Sequence, residues 1–431
     1  MYRLIRGLFT LAVKLFYHGR ILGAQIPESG PTILVANHPN GLIDPIMVMA
    51  ATSRPVRFLA KEPLFKMPVI GWLLRAVNAL PIYRASDGAN TADNAVTFKA
   101  VTEALHAGEV ICLFPEGISH DKPEVQPLKT GAARMALIAE ATRAFELEIN
   151  IIPVGLHLRD KVRFRSEAAT WIGETITVST EIQRLYAENE RDAARQLTTR
   201  IDGGIRAVTV NLNGWEDLPL LELAGRIWTD EHDPVVRLKA MADAERSFHE
   251  RNPVIIAHLR ARLVAFTHDL ARFGITLEDL DLKWRFTPTC TFLAKNLSAL
   301  VLGLPVALLG ALLYIVPYQA VRVVTLFNNP EPDVEATVKV LSSMLFFVAW
   351  HGVVFGVSWH YLGPYWGLGL GAIGPFMGLY FHYFWERRVE ALRQARYLLK
   401  LPLRQRLRDA LTAERDAIRM AIRELSETRS V

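Results

Sequence analysis

The segment TILVANHPNGLIDPIMVMAA constrains this chain more than any other. Thr32–Ala36 and Ile46–Ala51 are short apolar runs, and between them stands NHPNGLIDP, Asn37–Pro45. Pro39, Asn40 and Gly41 are turn formers, so a buried strand is expected to end at Asn37 and a helix to begin near Asp44. His38 and Asp44 then sit side by side at a strand-to-helix elbow. A carboxylate beside an imidazole fixes its tautomer and supports its positive charge as it takes up a proton. The pair is half of a general-base device, with no nucleophilic serine in the same motif.

A second motif, LFPEGISHD (Leu113–Asp121), again follows an apolar run, VICLF (Val110–Phe114). Glu116 and Gly117 at the end of a buried strand fall where α/β sheets carry chemistry. Either motif alone is equally well a solvated surface turn. Two of them at strand ends, roughly eighty residues apart, fit that bland account poorly.

Around them, residues 26–180 alternate strand and helix patterns. Strands are expected at Thr32–Ala36, Val56–Leu59, Ala79–Tyr83, Val110–Phe114, Ile149–Pro153 and Thr175–Ser179, with helices at Asn90–His106 and Thr130–Ala144. This is an α/β pattern with a mostly parallel sheet flanked by helices. Residues 181–290 are charged and helical in period, and read as a helical cap or insertion. Residues 1–25 mix Arg3, Arg6, Lys14 and Arg20 with Leu4, Leu8, Phe9 and Phe16, and no apolar run there is long enough to span a bilayer. With no small-residue cleavage site following, an interfacial amphipathic helix is expected rather than a signal peptide.

The mean hydropathy of +0.17 is high for a chain with 22% charged residues, and the excess lies after residue 290. Leu297–Ala320, Val340–Tyr361 and Trp366–Trp385 are each near the spanning length, with aromatic residues at their ends. Residues 291–385 therefore read as a transmembrane region of two to three spans. Gly363-Pro364 turns the last two into a hairpin, and Pro305 and Pro317 bend the first or make it re-entrant. GLGLGAIG, Gly367–Gly374, reads as close helix packing rather than a nucleotide loop. The tail, 386–431, is helical and basic, hence cytoplasmic by the positive-inside rule. An integral membrane protein with its catalytic domain facing the cytoplasm is expected.

Two cysteines, Cys112 and Cys290, exclude a disulfide framework, and no Cys/His cluster has zinc spacing. No metal and no cofactor is expected. A net charge of +5 suits membrane lipids or anionic substrates. No nucleic-acid partner is expected, since no zinc-finger or RNA-binding signature accompanies the charge.

NHPNGLIDP, ALPIYRASD (Ala79–Asp87), FPEGISHD and NIIPVGL (Asn150–Leu156) occur in the order of the four motifs of the phospholipid/glycerol acyltransferase family, which this chain resembles over roughly residues 20–180. LFPEGISHDKPEVQPLKTGAARMAL and IIPVGLHLRDKVRFRS look most like the fungal-type glycerol-3-phosphate/dihydroxyacetone-phosphate acyltransferases. Five residues separate His38 from Asp44, where the common family spacing is four. The longer spacing reads as a subfamily mark. The resemblance implies a glycerolipid acyltransferase-like fold and a glycerophosphate-type acceptor. The donor would be acyl-CoA or acyl-carrier protein as co-substrate.

A thiol near pKa 8.5 leaves a thioester readily. The harder task is to make an alcohol nucleophilic, and one positioned histidine contributes about 10²–10⁴-fold to that. His38 is the candidate base and Asp44 its orienting partner. The resemblance puts Arg84 on the acceptor phosphate and Glu116 with Gly117 in the acceptor site, Glu116 bonding an acceptor hydroxyl or positioning a basic side chain. Lys129 and the cluster Arg159, Lys161, Arg163 and Arg165 are further basic candidates, Arg163 foremost in the cluster; a solvated edge or a lipid-headgroup contact explains that cluster equally well. His120 lines the pocket or is a satisfied structural histidine. A glycerol-3-phosphate or 1-acylglycerol-3-phosphate O-acyltransferase is the leading expectation. The alternatives are a lysophospholipid remodelling acyltransferase and a non-catalytic lipid-binding membrane module. A metal-dependent phosphohydrolase lacks further ligands.

Overall fold

The computed structural model describes residues 1–84, 88, 93–228, 231–281, 286–400 and 405–427. The end of the second motif, Ala85–Asp87, and the expected helix start, Asn90–Ala92, lie outside the described residues, as do 401–404 and 428–431 of the tail. The chain divides into two units. One comprises Met1–Trp215 with Asn329–Val340, the other Glu216–Asn328 with Leu341–Val431.

The first unit opens with α1 (Tyr2–Phe16), β1 (Tyr17–Gly23), β2 (Thr32–Ala36) and α2 (Ile43–Ala50). There follow β3 (Val56–Lys61), α3 (Glu62–Lys66), α4 (Pro68–Ala76), β4 (Leu80–Ile82), α5 (Asn94–His106), β5 (Val110–Leu113) and α6 (Gly131–Ala141). It continues with β6 (Asn150–Leu158), β7 (Ser166–Ile172), α7 (Thr180–Glu188) and α8 (Glu190–Val208). The strands form one sheet in the order β1-β7-β6-β2-β5-β3-β4. All neighbours are parallel except β6 and β7, which form an antiparallel hairpin.

β2 and β5 are buried at every position. A central parallel strand is covered on both faces, so its sequence is an unbroken apolar run, as TILVA and VICL are. Ile33 and Val35 of β2 and Ile111 of β5 share a core with Leu105 of α5, Met135 and Leu137 of α6, and Leu197, Ile201 and Ile205 of α8. Because β2 and β5 are parallel neighbours with Val35 opposite Leu113, Asn37-His38 and Phe114–Gly117 leave the sheet together at its carboxyl edge. At the opposite edge the Arg54 guanidinium donates to the carbonyls of Pro27 (3.0 Å) and Gly30 (2.7 Å) and to the Thr32 hydroxyl (3.1 Å). One edge of the sheet is tied down and the other carries the polar motifs.

Three expectations change. Thr175–Ser179 is not a strand, and Ile176 makes only an isolated bridge to Ile151. The partner of β6 is instead Ser166–Ile172, whose run of Ser, Glu, Ala and Thr gives little apolar signal. Residues 1–25 are not one helix: Gly19 and Gly23 disfavour continuation, and Tyr17–Gly23 pairs with β7. α1 buries Ile5, Phe9, Val13 and Phe16 and exposes Leu4, Leu8, Leu11 and Leu15. Finally, α7 and α8 fall in the first unit rather than in an insertion beginning at 181. Ala193, Ala194, Leu197, Ile201 and Ile205 form a stripe at helical spacing that covers the sheet.

The second unit contains α9 (Leu218–Trp228), α10 (Pro234–Arg251), α11 (Pro253–Phe273), α12 (Phe286–Asn328), most of α13 (Pro332–Leu362), α14 (Pro364–Lys400) and α15 (Gln405–Glu427). Leu223 and Ile227 of α9, Leu263 and Phe266 of α11, and Leu411 and Ile418 of α15 share a core. Arg262 pairs with Glu414 at 2.8 Å. The basic tail is thus partly built into this cluster instead of standing free. α12 runs without a break through Pro305 and Pro317, so neither proline ends the helix. Gly367 and Gly371 lie against Trp359 and Phe355, and Gly374 against Tyr314, the close packing that small residues allow. Among the described residues, two helices are long and apolar enough to cross a membrane, Pro288–Asn328 and Pro332–Leu362. The third expected stretch, Trp366–Trp385, carries five glycines and several tyrosines and tryptophans, which lower its apolar content.

Candidate active site

The elbow between β2 and α2 holds His38. Asn37 closes β2 by mimicking a strand residue: its side-chain amide donates to the Leu156 carbonyl at 3.1 Å and its carbonyl accepts the Leu156 N–H at 2.7 Å. The chain is thereby pinned to β6 at the residue before the histidine. His38 Nδ1 lies 2.8 Å from Asp44 Oδ2. The same oxygen accepts the Asn40 N–H at 2.7 Å, so one carboxylate fixes both the imidazole and the turn that carries it. Phe114 stacks on the imidazole, with ring centroids 4.0 Å apart and planes within 13°.

With Asp44 accepting at Nδ1, the Nδ1–H tautomer is selected and the lone pair lies on Nε2. The His38 side chain is 19% exposed while that of Asp44 is fully buried. Burial raises the Asp44 carboxyl above its ordinary range, against the lowering pull of His38 and the Asn40 N–H. Tyr17 lies behind the turn: Asn40 Nδ2 donates to its oxygen at 3.3 Å, and its hydroxyl donates to the Lys161 carbonyl. Burial pushes the phenol up, so it remains a donor at neutral pH.

Glu116 makes its contacts within the chain, one of them to the basic side chain of His120. It is buried, and both oxygens are engaged within the chain. Oε1 accepts the His38 N–H at 2.9 Å, and Oε2 accepts the Gln126 N–H at 2.7 Å and His120 Nε2 at 2.5 Å. His120 Nδ1 accepts the Lys122 N–H at 3.1 Å, and the His120 N–H donates to the His38 carbonyl at 3.1 Å. His120 is therefore a satisfied structural histidine. In this geometry Glu116 locks the two polar turns together and acts on the site through His38.

Gly117 is where the cations gather. It has φ +75°, a left-handed conformation that favours glycine. A Cβ there would stand 2.6 Å from Lys129 Nζ. Arg84, just after β4, donates to the Gly117 carbonyl. The Lys129 N–H donates to the Pro115 carbonyl at 2.8 Å, which holds the lysine over the turn. Arg84 and Lys129 thus flank the Phe114–Gly117 turn whose first ring stacks on His38. Arg163 is not brought in with them. It lies exposed in the turn between β6 and β7, where its N–H donates to Asp160 Oδ1 at 3.2 Å. Lys161 from the same turn does reach the site's rim, pairing with Asp121 at 2.5 Å.

Asn37, Asn40 and Tyr17 received no role in the sequence reading. Asn37 and Asn40 are legible only as turn residues, and nothing local marks Tyr17. Among the described residues, no group of three or more His, Cys, Asp or Glu side chains is placed to hold a metal ion. The arrangement offers a base with an oriented lone pair beside two cations. It can deprotonate a hydroxyl on an anionic molecule.

The segment that carries this site is similar to known proteins. Residues 20–157 match the family described as Acyltransferase. Glycerol-3-phosphate O-acyltransferase 2 of Saccharomyces cerevisiae is 34% identical over 136 residues, 32% of this chain and 18% of that protein. Glycerol-3-phosphate O-acyltransferase 1 of the same yeast is 23% identical over 343 residues, 58% of this chain and 45% of that protein. A 1-acyl-sn-glycerol-3-phosphate acyltransferase of Bacillus subtilis is 26% identical over 118 residues, 27% of this chain and 55% of that protein. The chain thus spans less than half the length of these yeast relatives. The crystal structure of the 1-acyl-sn-glycerophosphate (LPA) acyltransferase from Thermotoga maritima aligns with 46% of this chain and 79% of that one, at 23% identity and a TM-score of 0.33. The segment that matches the Acyltransferase family, residues 20–157, contains the His38–Asp44 pair, Arg84 and the whole Phe114–Gly117 turn.

Proposed function

We propose that this chain is a membrane-bound O-acyltransferase. It moves a fatty acyl group from acyl-CoA or acyl-carrier protein to the hydroxyl of glycerol-3-phosphate or 1-acylglycerol-3-phosphate. The observation that carries the reading is the 2.8 Å His38–Asp44 contact beside a turn flanked by Arg84 and Lys129. His38 Nε2 takes the acceptor's hydroxyl proton as the oxygen attacks the thioester carbonyl. The C–O bond forms, the C–S bond breaks, and the imidazolium returns the proton to the departing thiolate. Asp44 supports the transient positive charge. No acyl-enzyme is needed, because a thiolate already leaves readily.

The acceptor phosphate is assigned to Arg84 and Lys129, which together supply two positive charges and a bidentate donor. The similarity to two yeast glycerol-3-phosphate acyltransferases favours glycerol-3-phosphate over its 1-acyl derivative. Assaying labelled acyl-CoA and acyl-carrier protein against both acceptors and a lysophospholipid tests the reading. Absence of transfer to any of them would sink it.

Arg84→Ala is expected to raise the acceptor KM by about tenfold or more while moving the donor KM less than about twofold, since only the acceptor loses its anion contact. Steady-state kinetics with each substrate varied in turn give the result, and equal effects on both would remove Arg84 from the phosphate.

Membrane integration is supported by the two long apolar helices and by the exposed leucine row of α1, which would lie at the lipid surface. The orientation that brings the base to cytosolic acyl thioesters is with the first unit facing the cytoplasm. The full chain is expected to stay with the membrane pellet in alkaline carbonate. Its release into the supernatant would leave only peripheral attachment.

A further inference from the structure

Glu116 holds the His38 turn from one side. The other side is held by residues that follow nearly three hundred positions later. Pro332–Val340, the first nine residues of α13, belong to the first unit. Asp333, Ala336 and Val340 in this stretch are buried. The Thr337 hydroxyl accepts the Leu42 N–H at 3.2 Å. The Ser119 hydroxyl donates to Asp333 Oδ2 at 2.5 Å. Lys339 Nζ donates to the Val162 carbonyl at 3.2 Å. One helical stretch therefore touches the three loops that carry His38, His120 and Lys161.

The approach is close. Gly41 has φ +44°, and a Cβ there would stand 3.1 Å from the Asp333 carbonyl oxygen and 3.3 Å from Thr337 Oγ1. Asp333 and Thr337 are four residues apart and so share one face of the helix. Each makes its bond to a different motif. Leu42 N–H precedes Asp44 by two residues, and Ser119 lies between Gly117 and His120. A shift of either turn moves the imidazole relative to the cations.

We infer that Asp333 and Thr337 are positioning residues for acyl transfer. They hold the Asn37–Pro45 turn and the Gly117–His120 turn at the separation the reaction requires. The inference rests on the reading of His38 as base. The acting groups remain His38 and its neighbours, and Asp333 and Thr337 work through them. Misplacement of a reacting group by about 1 Å costs as much as about 10²-fold in rate, so a lost tether acts on turnover more than on binding.

The test uses the full chain in detergent micelles. Thr337→Val keeps the shape and removes the acceptor of the Leu42 N–H. It is expected to lower kcat about tenfold with both KM values within about twofold. Thr337→Ser restores the acceptor and is expected to recover kcat to within about threefold of the parent. Asp333→Asn is expected to lower kcat in the same direction. Hydrogen exchange of the peptide covering residues 37–45 gives a second readout that needs no activity. Thr337→Val should speed it about tenfold without a matching change in protection elsewhere. Thr337→Val and Asp333→Asn both within about twofold of the parent kcat, or Thr337→Ser as slow as Thr337→Val, would overturn the inference. If the parent chain transfers no acyl group, the proposed reaction fails by itself. Exchange at 37–45 then decides, faster exchange in Thr337→Val supporting the positioning role and unchanged exchange overturning it.

Discussion

His38→Ala is expected to lower acyl transfer by about 10³-fold or more, with the protein still folded and membrane-bound. General-base assistance alone accounts for about 10²–10⁴-fold, and the alanine also removes the group that reprotonates the departing thiolate. The fold should survive. The turn is held by the Asn37–Leu156 bonds and by the His38 backbone N–H on Glu116, none of which uses the imidazole. The side chain is partly exposed and stacks on one face of Phe114, so its loss opens no deep cavity. Purified variant and parent are compared for turnover and for thermal midpoint. Retention of more than about a tenth of parental turnover would remove His38 from the base role.

Asp44→Asn is expected to separate activity from stability. The amide keeps the size of the carboxylate but not its charge, so the imidazolium that forms during transfer loses its counter-charge and the tautomer is no longer enforced. A fall in kcat of about 10³–10⁴-fold is expected. Stability should move the other way as pH rises. Burial raises the folded-state carboxyl above its ordinary value of 3.8, so between that value and the raised one the unfolded chain has lost its proton while the folded chain still holds it. The folded state then binds more protons, and stability falls with rising pH. The contribution is fully present below the ordinary carboxylate value and is lost as pH rises through the raised one. Asparagine has no such titration. The thermal midpoint of Asp44→Asn relative to the parent should therefore increase as pH rises from the ordinary carboxylate value of 3.8. A relative decrease over that window would mean that attraction to His38 outweighs burial at Asp44.

The apolar runs Thr32–Ala36 and Val110–Leu113 were legible as strands because a central parallel strand needs its hydrophobic residues next to one another in sequence. Their turn-forming continuations were legible for the same local reason. Together these were enough to bring His38, Asp44, Glu116 and Gly117 to one edge of a sheet. Arg84 and Lys129 gave no local pattern: Arg84 was assigned from the order of the motifs and the family resemblance, and Lys129 stood only as a further basic candidate. The edge strand Tyr17–Gly23 and its neighbour Ser166–Ile172 were hidden because each is stabilised by its partners rather than by its own composition. Nor could the sequence give the use of the Glu116 carboxylate, which is set by three donors converging on a buried site.

What the sequence by itself determined is the strand-turn-helix elbow, the α/β alternation and the apolar stretches after residue 290, all products of local burial and local turn chemistry. What only the tertiary structure decided is which distant groups close the site. Asn37 meets Leu156 across neighbouring strands, Tyr17 backs Asn40 from an edge strand, and Thr337 caps Leu42 from the start of a long helix. Each is a single hydrogen bond between residues distant in sequence. Such a bond leaves no periodicity in the chain, because its geometry is fixed by the packing of the elements that carry the two partners.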